Sequence, residues 1–157
     1  MENQLKRVAL ACDHGAYDHK EAIKSRLIEL GYTVDDYGTH STASMDYPDT
    51  VYPAAKSVSE GRNDWGIVLC GTGIGASITA NKVKGIRCAL VFDTETAKIT
   101  RAHNDSNVLA LGGRLTDVPT AVAIAETWLS SPFSHDERHQ RRINKLCAVE
   151  EQENSHE

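Results

Sequence analysis

Trp65-Gly66-Ile67-Val68-Leu69-Cys70-Gly71-Thr72-Gly73-Ile74-Gly75-Ala76 reads as an apolar strand that ends in a thiol, then a glycine-rich turn, then a helix from Ala76 to Val83. That order puts a base or nucleophile, Cys70, at the carboxyl end of a strand. It also aims backbone N–H groups and a helix N-terminus at the space beside the sulfur. Such amides hold an anion or a developing oxyanion, and the helix dipole adds about half a positive charge there. Thiols in such a field gain thiolate character.

The alternation continues on both sides of this stretch. Arg7 to Cys12 forms a first strand, broken by Asp13-His14-Gly15. A helix fits Tyr17 to Leu30, with Ile23, Leu27 and Leu30 on one face and Gly31 as its stop. Tyr32 to Asp36 is a short second strand. Pro48 opens a helix that turns Val51, Ala54, Ala55 and Val58 inward and ends at Gly61. Ile86 to Phe92 reads as a fourth strand covered on both faces, since only Arg87 interrupts its apolar run. Thr94 to Ala102 is helical, Asn107 to Leu111 is the fifth strand, and Pro119 to Leu129 is a further helix. A last helix is expected from Ser134, with Glu137 completing a capping box, to about Val149. Strands alternating with helices predict the α/β class, as a three-layer α/β/α Rossmann-like fold around a five-stranded parallel sheet. Residues 1–150 are read as a single domain and residues 151–157 as a frayed polar tail.

The 157 residues suit one domain, and a net charge of −5 leaves no broad basic surface for nucleic acid. No apolar run approaches the ~20 residues of a membrane helix, and Met1 to Arg7 holds no signal-peptide core. The four cysteines, at 12, 70, 88 and 147, match neither a zinc ribbon nor a C-x-x-C pair. Cys12, Cys88 and Cys147 read as core thiols, and a cytoplasmic location follows by default.

Ligands of such sheets bind beyond the carboxyl ends of the strands. Asp13 and His14, residues 70–75, Asp93, and residues 112–114 all fall there. His103-Asn104-Asp105 precedes the fifth strand instead. Either its loop climbs back or it serves a neighbouring subunit. Gly71-x-Gly73-x-x-Ala76 with Asp93 also matches a variant dinucleotide fingerprint, although it follows the third strand and begins at a Cys. Arg138 and Arg142 share a face at the start of the last helix, where cations oppose the helix dipole. A phosphate between their guanidinium forks would compensate, with Arg114 as a third cation. Two His-acid pairs without a third ligand make a poor metal site.

These residues combine into a recognisable set: Ala11-Cys12-Asp13-His14-Gly15, Met45-Asp46-Tyr47-Pro48, Cys70 to Gly75, Ala80-Asn81-Lys82, Gly85-Ile86-Arg87, His103 to Leu109, and Arg138-His139-Gln140-x-Arg142. The chain resembles the type B ribose-5-phosphate isomerases, in the family that includes the galactose-6-phosphate isomerase subunits. The likeness spans about residues 6 to 150. It implies interconversion of D-ribose 5-phosphate and D-ribulose 5-phosphate through a cis-enediolate, a step of the pentose phosphate pathway, with no metal or cofactor. Allose 6-phosphate or another aldose phosphate is the alternative substrate. A nucleotide or sugar-phosphate binding module that has lost catalysis is the reading from another class, and Cys70, Thr72 and His103 together argue against it.

The resemblance makes Cys70 the base, Thr72 the relay between the two oxygens, and His103 the ring-opening group with Asp13 as helper. Gly71, Gly73 and Gly75 line the enediolate site, while Asn104 and Tyr47 contact the sugar. His14, Arg114, Arg138 and Arg142 meet the phosphate. A sister group uses a Glu where this chain has Ala76, which fits Cys70 as base here. A homodimer or homotetramer with active sites at the subunit interface is implied, with no nucleic-acid or membrane partner.

Overall fold

The computed structural model describes residues 6–155; the start of the chain, Met1 to Leu5, lies outside them. Among the described residues there are five strands: β1 (Arg7–Cys12), β2 (Thr33–Asp36), β3 (Trp65–Cys70), β4 (Cys88–Leu90) and β5 (Val108–Gly112). All pair in parallel, in the order β2-β1-β3-β5-β4. Six α-helices connect and follow them: α1 (Tyr17–Glu29), α2 (Pro48–Ser59), α3 (Ile74–Asn81), α4 (Thr94–Asn104), α5 (Val118–Ser130) and α6 (Glu137–Asn154). The expected α/β/α sandwich is therefore present, and no described helix is long and apolar enough to cross a membrane.

Alternation along the strands divides the core between the two faces of the sheet. Val8, Leu10, Ile67, Leu69, Leu109 and Leu111 point toward α1 and α5, where Ile23, Leu27, Ile124 and Trp128 meet them. Ala9, Ala11, Val68, Cys70 and Ala110 point toward α2 and α3, whose Ala54, Ala55, Ala76 and Ala80 let the helices lie close. Cys12 is fully buried, and burial pushes its thiol up to about 11, against the lowering effect of the Thr39 amide. It is the core thiol expected.

Four sequence expectations change. The fourth strand shrinks from seven residues to Cys88–Leu90 and is only half-buried, because it forms an edge of the sheet. Cys88 and Cys147 are likewise half-buried rather than core residues. Ser134 does not cap the last helix. Asp136 does, its carboxylate accepting from the Arg138 amide, while Ser134 Oγ lies 2.9 Å from His139 Nδ1. Finally, residues 151–154 continue α6 instead of fraying. Glu150 accepts from the Gly85 amide and Glu151 pairs with Lys84 at 2.7 Å, so the helix end is tied to the α3–β4 loop.

An ion pair lies under the carboxyl end of β2. Lys20 of α1 is fully buried and its Nζ is 2.8 Å from both oxygens of Asp36, which also accepts from Lys24 and from the Gly38 amide. Burial alone would lower the Lys20 ammonium, but hydrogen bonds to Asp36 and Glu21 outweigh it and hold it above its ordinary value. Burial alone would raise the Asp36 carboxyl, and its donors Lys20, Gly38 and Lys24 hold it below. This pair starts the segment 37–47, which continues in parallel beside the end of β1 through Tyr37, Gly38 and Thr39 and leads to Tyr47 at the next helix.

Candidate active site

Three loops meet beyond the carboxyl ends of β1, β3 and β5. The turn after β3 is closed by the strand after it in the sheet: Gly113 donates to Cys70 O at 2.9 Å and Arg114 to Gly71 O at 2.8 Å. Gly73 caps α3 with φ of +79°, a left-handed geometry that turns the chain into the helix two residues earlier than the sequence suggested. Glycine is required because an L residue is strained there and its Cβ would lie 2.6 Å from Leu90 Cδ1. The result points the Gly73 N–H at Cys70 Sγ, 3.2 Å away. Cys70 is 4% exposed, so this backbone N–H meets the sulfur out of bulk water. Thr72 is exposed, and its Oγ1 accepts from the Ile74 amide at 3.2 Å.

Around this turn lie four further residues singled out from sequence. Asp13 is buried and accepts from the Gly15 amide at 2.9 Å, which folds the turn after β1. His14 Nδ1 accepts from the Met45 amide at 3.2 Å. Its neutral ring therefore carries hydrogen on Nε2, free to donate outward. Tyr47 packs its ring over Gly75, at a distance no side chain on that residue would allow. Arg114 lies along Gly71, its Cδ and Cζ 3.4 Å from where a Cβ would stand. Gly75 thus admits the Tyr47 ring, whereas at Gly71 Arg114 sits at ordinary contact distance.

Close approach of these loops has a measurable consequence. A Cβ on Gly113 would stand 2.5 Å from Gly15 O and 2.8 Å from Ala16 Cα. Gly113→Ala should cost about 1–3 kcal/mol by forcing the β1 and β5 loops apart. Chemical denaturation checks this; an unchanged midpoint would show that the loops separate freely.

His103, Asn104, Arg138 and Arg142 are not part of this cluster. His103 and Asn104 end α4, which runs antiparallel to the strands, so they lie at the amino end of the sheet. The expectation that their loop climbs back is not met: Asn104 O is held by Arg87, which precedes β4. With Arg138 and Arg142 they line a cavity of about 940 Å³ between α4, β4 and α6, whose floor includes Ile86, Cys88 and Ile143. Desolvation pushes the Cys88 thiol up to about 12. Within one chain, therefore, thiol and ring-opening candidate are on opposite ends of the sheet.

One participant here escaped sequence reading. His139 is buried, its ring stacked on His103 at 4.2 Å between centroids, and Ser134 anchors it. Burial, then the neighbouring His103 and Arg138, hold its imidazole below the ordinary value. Its place one residue after Arg138 was visible, but nothing in the spacing showed that it would touch His103. Asp93, the acidic residue of the dinucleotide alternative, is consumed as the N-cap of α4, accepting from Thr96. Among the described residues no three His, Cys, Asp or Glu side chains converge as metal ligands.

Comparison with known proteins gives the family. The sequence model described as Ribose/Galactose Isomerase matches residues 8–146. The chain is 49% identical over 146 residues to YwlF of Bacillus subtilis, whose name assigns it provisionally as a sugar phosphate isomerase; the match covers 92% of this chain and 97% of that one. It is 39% identical to ribose-5-phosphate isomerase B of Escherichia coli, covering 96% and 100%. The structure of ribose-5-phosphate isomerase B from Clostridium thermocellum superposes with a TM-score of 0.92 at 42% identity, covering 94% and 99%. With matches of this length and identity, the chain belongs to the ribose/galactose isomerase family.

Proposed function

We propose that this sugar phosphate isomerase interconverts D-ribose 5-phosphate and D-ribulose 5-phosphate through a cis-enediolate. The observation that carries the reading is Cys70 Sγ at the α3 N-terminus, receiving the Gly73 N–H at 3.2 Å. Isomerisation moves one proton between C1 and C2. A thiolate there removes the C2 proton of the open aldose and returns it to C1. Charge that develops on the carbonyl oxygen is met by amides at the start of α3, which have no partner inside the helix. Thr72 Oγ1 passes the second proton between O1 and O2, leaving the enediolate neutral on one oxygen at a time.

Ring opening and phosphate binding call for His103, Asn104, Arg138 and Arg142, which one chain holds away from its own Cys70. A second copy supplies them in this reading. The active unit is a homodimer or homotetramer, with Cys70, Thr72, Asp13, His14, Tyr47 and Arg114 from one subunit and the α4–α6 group from its partner. Asp13 assists His103 at the ring oxygen and the anomeric hydroxyl, and Asn104 and Tyr47 orient the sugar. His14, through its free Nε2, and the arginines hold the phosphate. The side chain of Arg138 is 59% exposed, with only a distant carboxylate, Asp136, at 3.7 Å, so it is free to take an anion.

The test is conversion of D-ribose 5-phosphate in chelator-treated buffer, beside allose 6-phosphate. Wild type should turn over the pentose. Arg138→Ala and Arg142→Ala should each raise KM about tenfold or more, with a smaller change in kcat, since phosphate binding is common to ground and transition states. Turnover of allose 6-phosphate alone would overturn the pentose assignment.

A further inference from the structure

Two guanidinium groups grip the loop that follows His103: that of Arg101, which is buried, and that of Arg87, which stands in the wall of the cavity His103 and Asn104 line. Arg101, in the last turn of α4, is 5% exposed. A charged side chain is buried to that extent only when its donors are used. Its Nη1 donates to Ser106 O at 2.6 Å and to Asp105 Oδ1 at 2.8 Å, and its Nε donates to Ser131 O at 3.2 Å. The guanidinium carbon lies 4.4 Å from the Trp65 ring centroid and 5.9 Å from that of Trp128, a cation–π seat. Trp128 Nε1 in turn donates to Ser106 Oγ at 2.9 Å.

Arg87 reaches the same loop from the start of β4. Its Nε donates to Asn104 O at 3.0 Å and its Nη2 to Asp105 O at 2.9 Å. Three consecutive carbonyls, those of Asn104, Asp105 and Ser106, are therefore held by two arginines. Between them Asp105 takes φ of +45°, a left-handed conformation that costs a non-glycine residue about 1–2 kcal/mol. The Arg101–Asp105 ion pair, one helical turn apart, offsets that cost.

The grip extends to α6. Ser131, held by Arg101, begins the linker from α5, and Ser134 in the same linker donates its amide to Ala102 O at 3.2 Å and contacts His139. The helix end carrying His103 and Asn104 is thus fastened to the linker that sets the start of α6, where Arg138 and Arg142 stand.

We infer that Arg87 and Arg101 are positioning residues: a two-guanidinium clamp that fixes the His103–Asn104 turn, and through Ser131 the α6 start, in the register the isomerisation needs. This inference rests on the proposed role of His103 and Asn104. Planar forks suit the task because each holds two or three acceptors at fixed angles, which a lysine ammonium does not reproduce. Misplacement of a substrate-contacting group by an ångström is enough to lose about two orders of magnitude in rate.

A double-mutant cycle tests it. Arg87→Gln should lower kcat/KM for D-ribose 5-phosphate about tenfold or more. In a His103→Ala, Asn104→Ala background the same substitution should change it less than about twofold, since Arg87, which holds only the Asn104 and Asp105 carbonyls, then has no His103 or Asn104 side chain left to position. Equal losses in both backgrounds, or no loss in wild type, would overturn the inference. Arg101→Lys, which keeps the buried charge without the fork, should behave as Arg87→Gln does. Amide hydrogen exchange at Asp105 to Asn107 gives a readout independent of turnover, and it should rise in both variants while the β3 amides stay protected. Should the wild type fail to turn over the pentose, the assigned reaction falls, and unchanged exchange in the variants would separately discard the clamp.

Discussion

Cys70→Ala is expected to lower kcat for ribose 5-phosphate by about 10³-fold while leaving KM within about threefold. The sulfur is the one group at the β3 tip able to carry a proton between adjacent carbons, and the turn around it is built from backbone. Its removal deletes a small buried side chain, and the amide of Gly73, the fold of the turn and the proposed phosphate ligands remain. Cys70→Ser should be nearly as inactive, because a hydroxyl keeps the shape and surrenders its proton far less readily than a thiol. Steady-state kinetics together with loss of solvent-deuterium incorporation into product would establish proton transfer by the thiol. Retained turnover in Cys70→Ala, or a rise in KM as large as the fall in kcat, would remove the residue from the chemistry.

Lys20→Met is expected to destabilise the fold by about 3 kcal/mol, because it leaves the Asp36 carboxylate under α1 with only Lys24 and the Gly38 amide as partners. For a domain of this size that is a fall in Tm of roughly 10 °C. The double variant Lys20→Met, Asp36→Asn should recover part of the loss, since no buried charge is then unpaired and an oxygen remains for the Gly38 amide. The pH dependence follows from the two directions of shift. Asp36 is held below its ordinary value of 3.8, so its contribution is present above that pH and is lost as pH falls through the lowered value. Lys20 is held above 10.5, so its contribution is present below that pH and is lost as pH rises through the raised value. Between those limits the penalty of Lys20→Met should be flat, and it should shrink at the acid end. Denaturation midpoints of wild type and variant across pH decide this, and a penalty that grows on acidification would sink the account.

The places where expectation and structure part share a cause. The run from Ile86 to Phe92 has the composition of a central strand, yet it is an edge, since strand order depends on which crossover places β5 beside β3. The Ser134-to-Glu137 spacing fits a capping box, but Asp136 is closer to the first turn and takes the cap, and tertiary contact with His139 claims Ser134. The polar end of the chain reads as solvated, and it stays helical because Lys84 and the Gly85 amide, distant in sequence, meet Glu151 and Glu150. Nothing in the sequence singles out Lys20 or Arg101, and Arg87 stands out only as the polar residue of an apolar run. Their pairing depends on acceptors 16, 17 and 30 positions away, at Asp36, Asn104 and Ser131.

By itself the amino-acid sequence determined the alternation of strands and helices, the parallel sheet, the thiol at the strand tip and the glycine turn beside it. Those features are local: hydrophobic period, capping and turn chemistry act over a few residues, and a strand followed by a crossover helix has one favoured hand. The tertiary structure alone decided which of the candidate residues are neighbours. It gathers Asp13, His14, Tyr47, Cys70, Thr72 and Arg114 at one end of the sheet, and His103, Asn104, Arg138 and Arg142 at the other. Direction is the reason. Residues that follow a parallel strand and residues that precede one stand on opposite rims, and no spacing along the chain can bring the two rims of one sheet together.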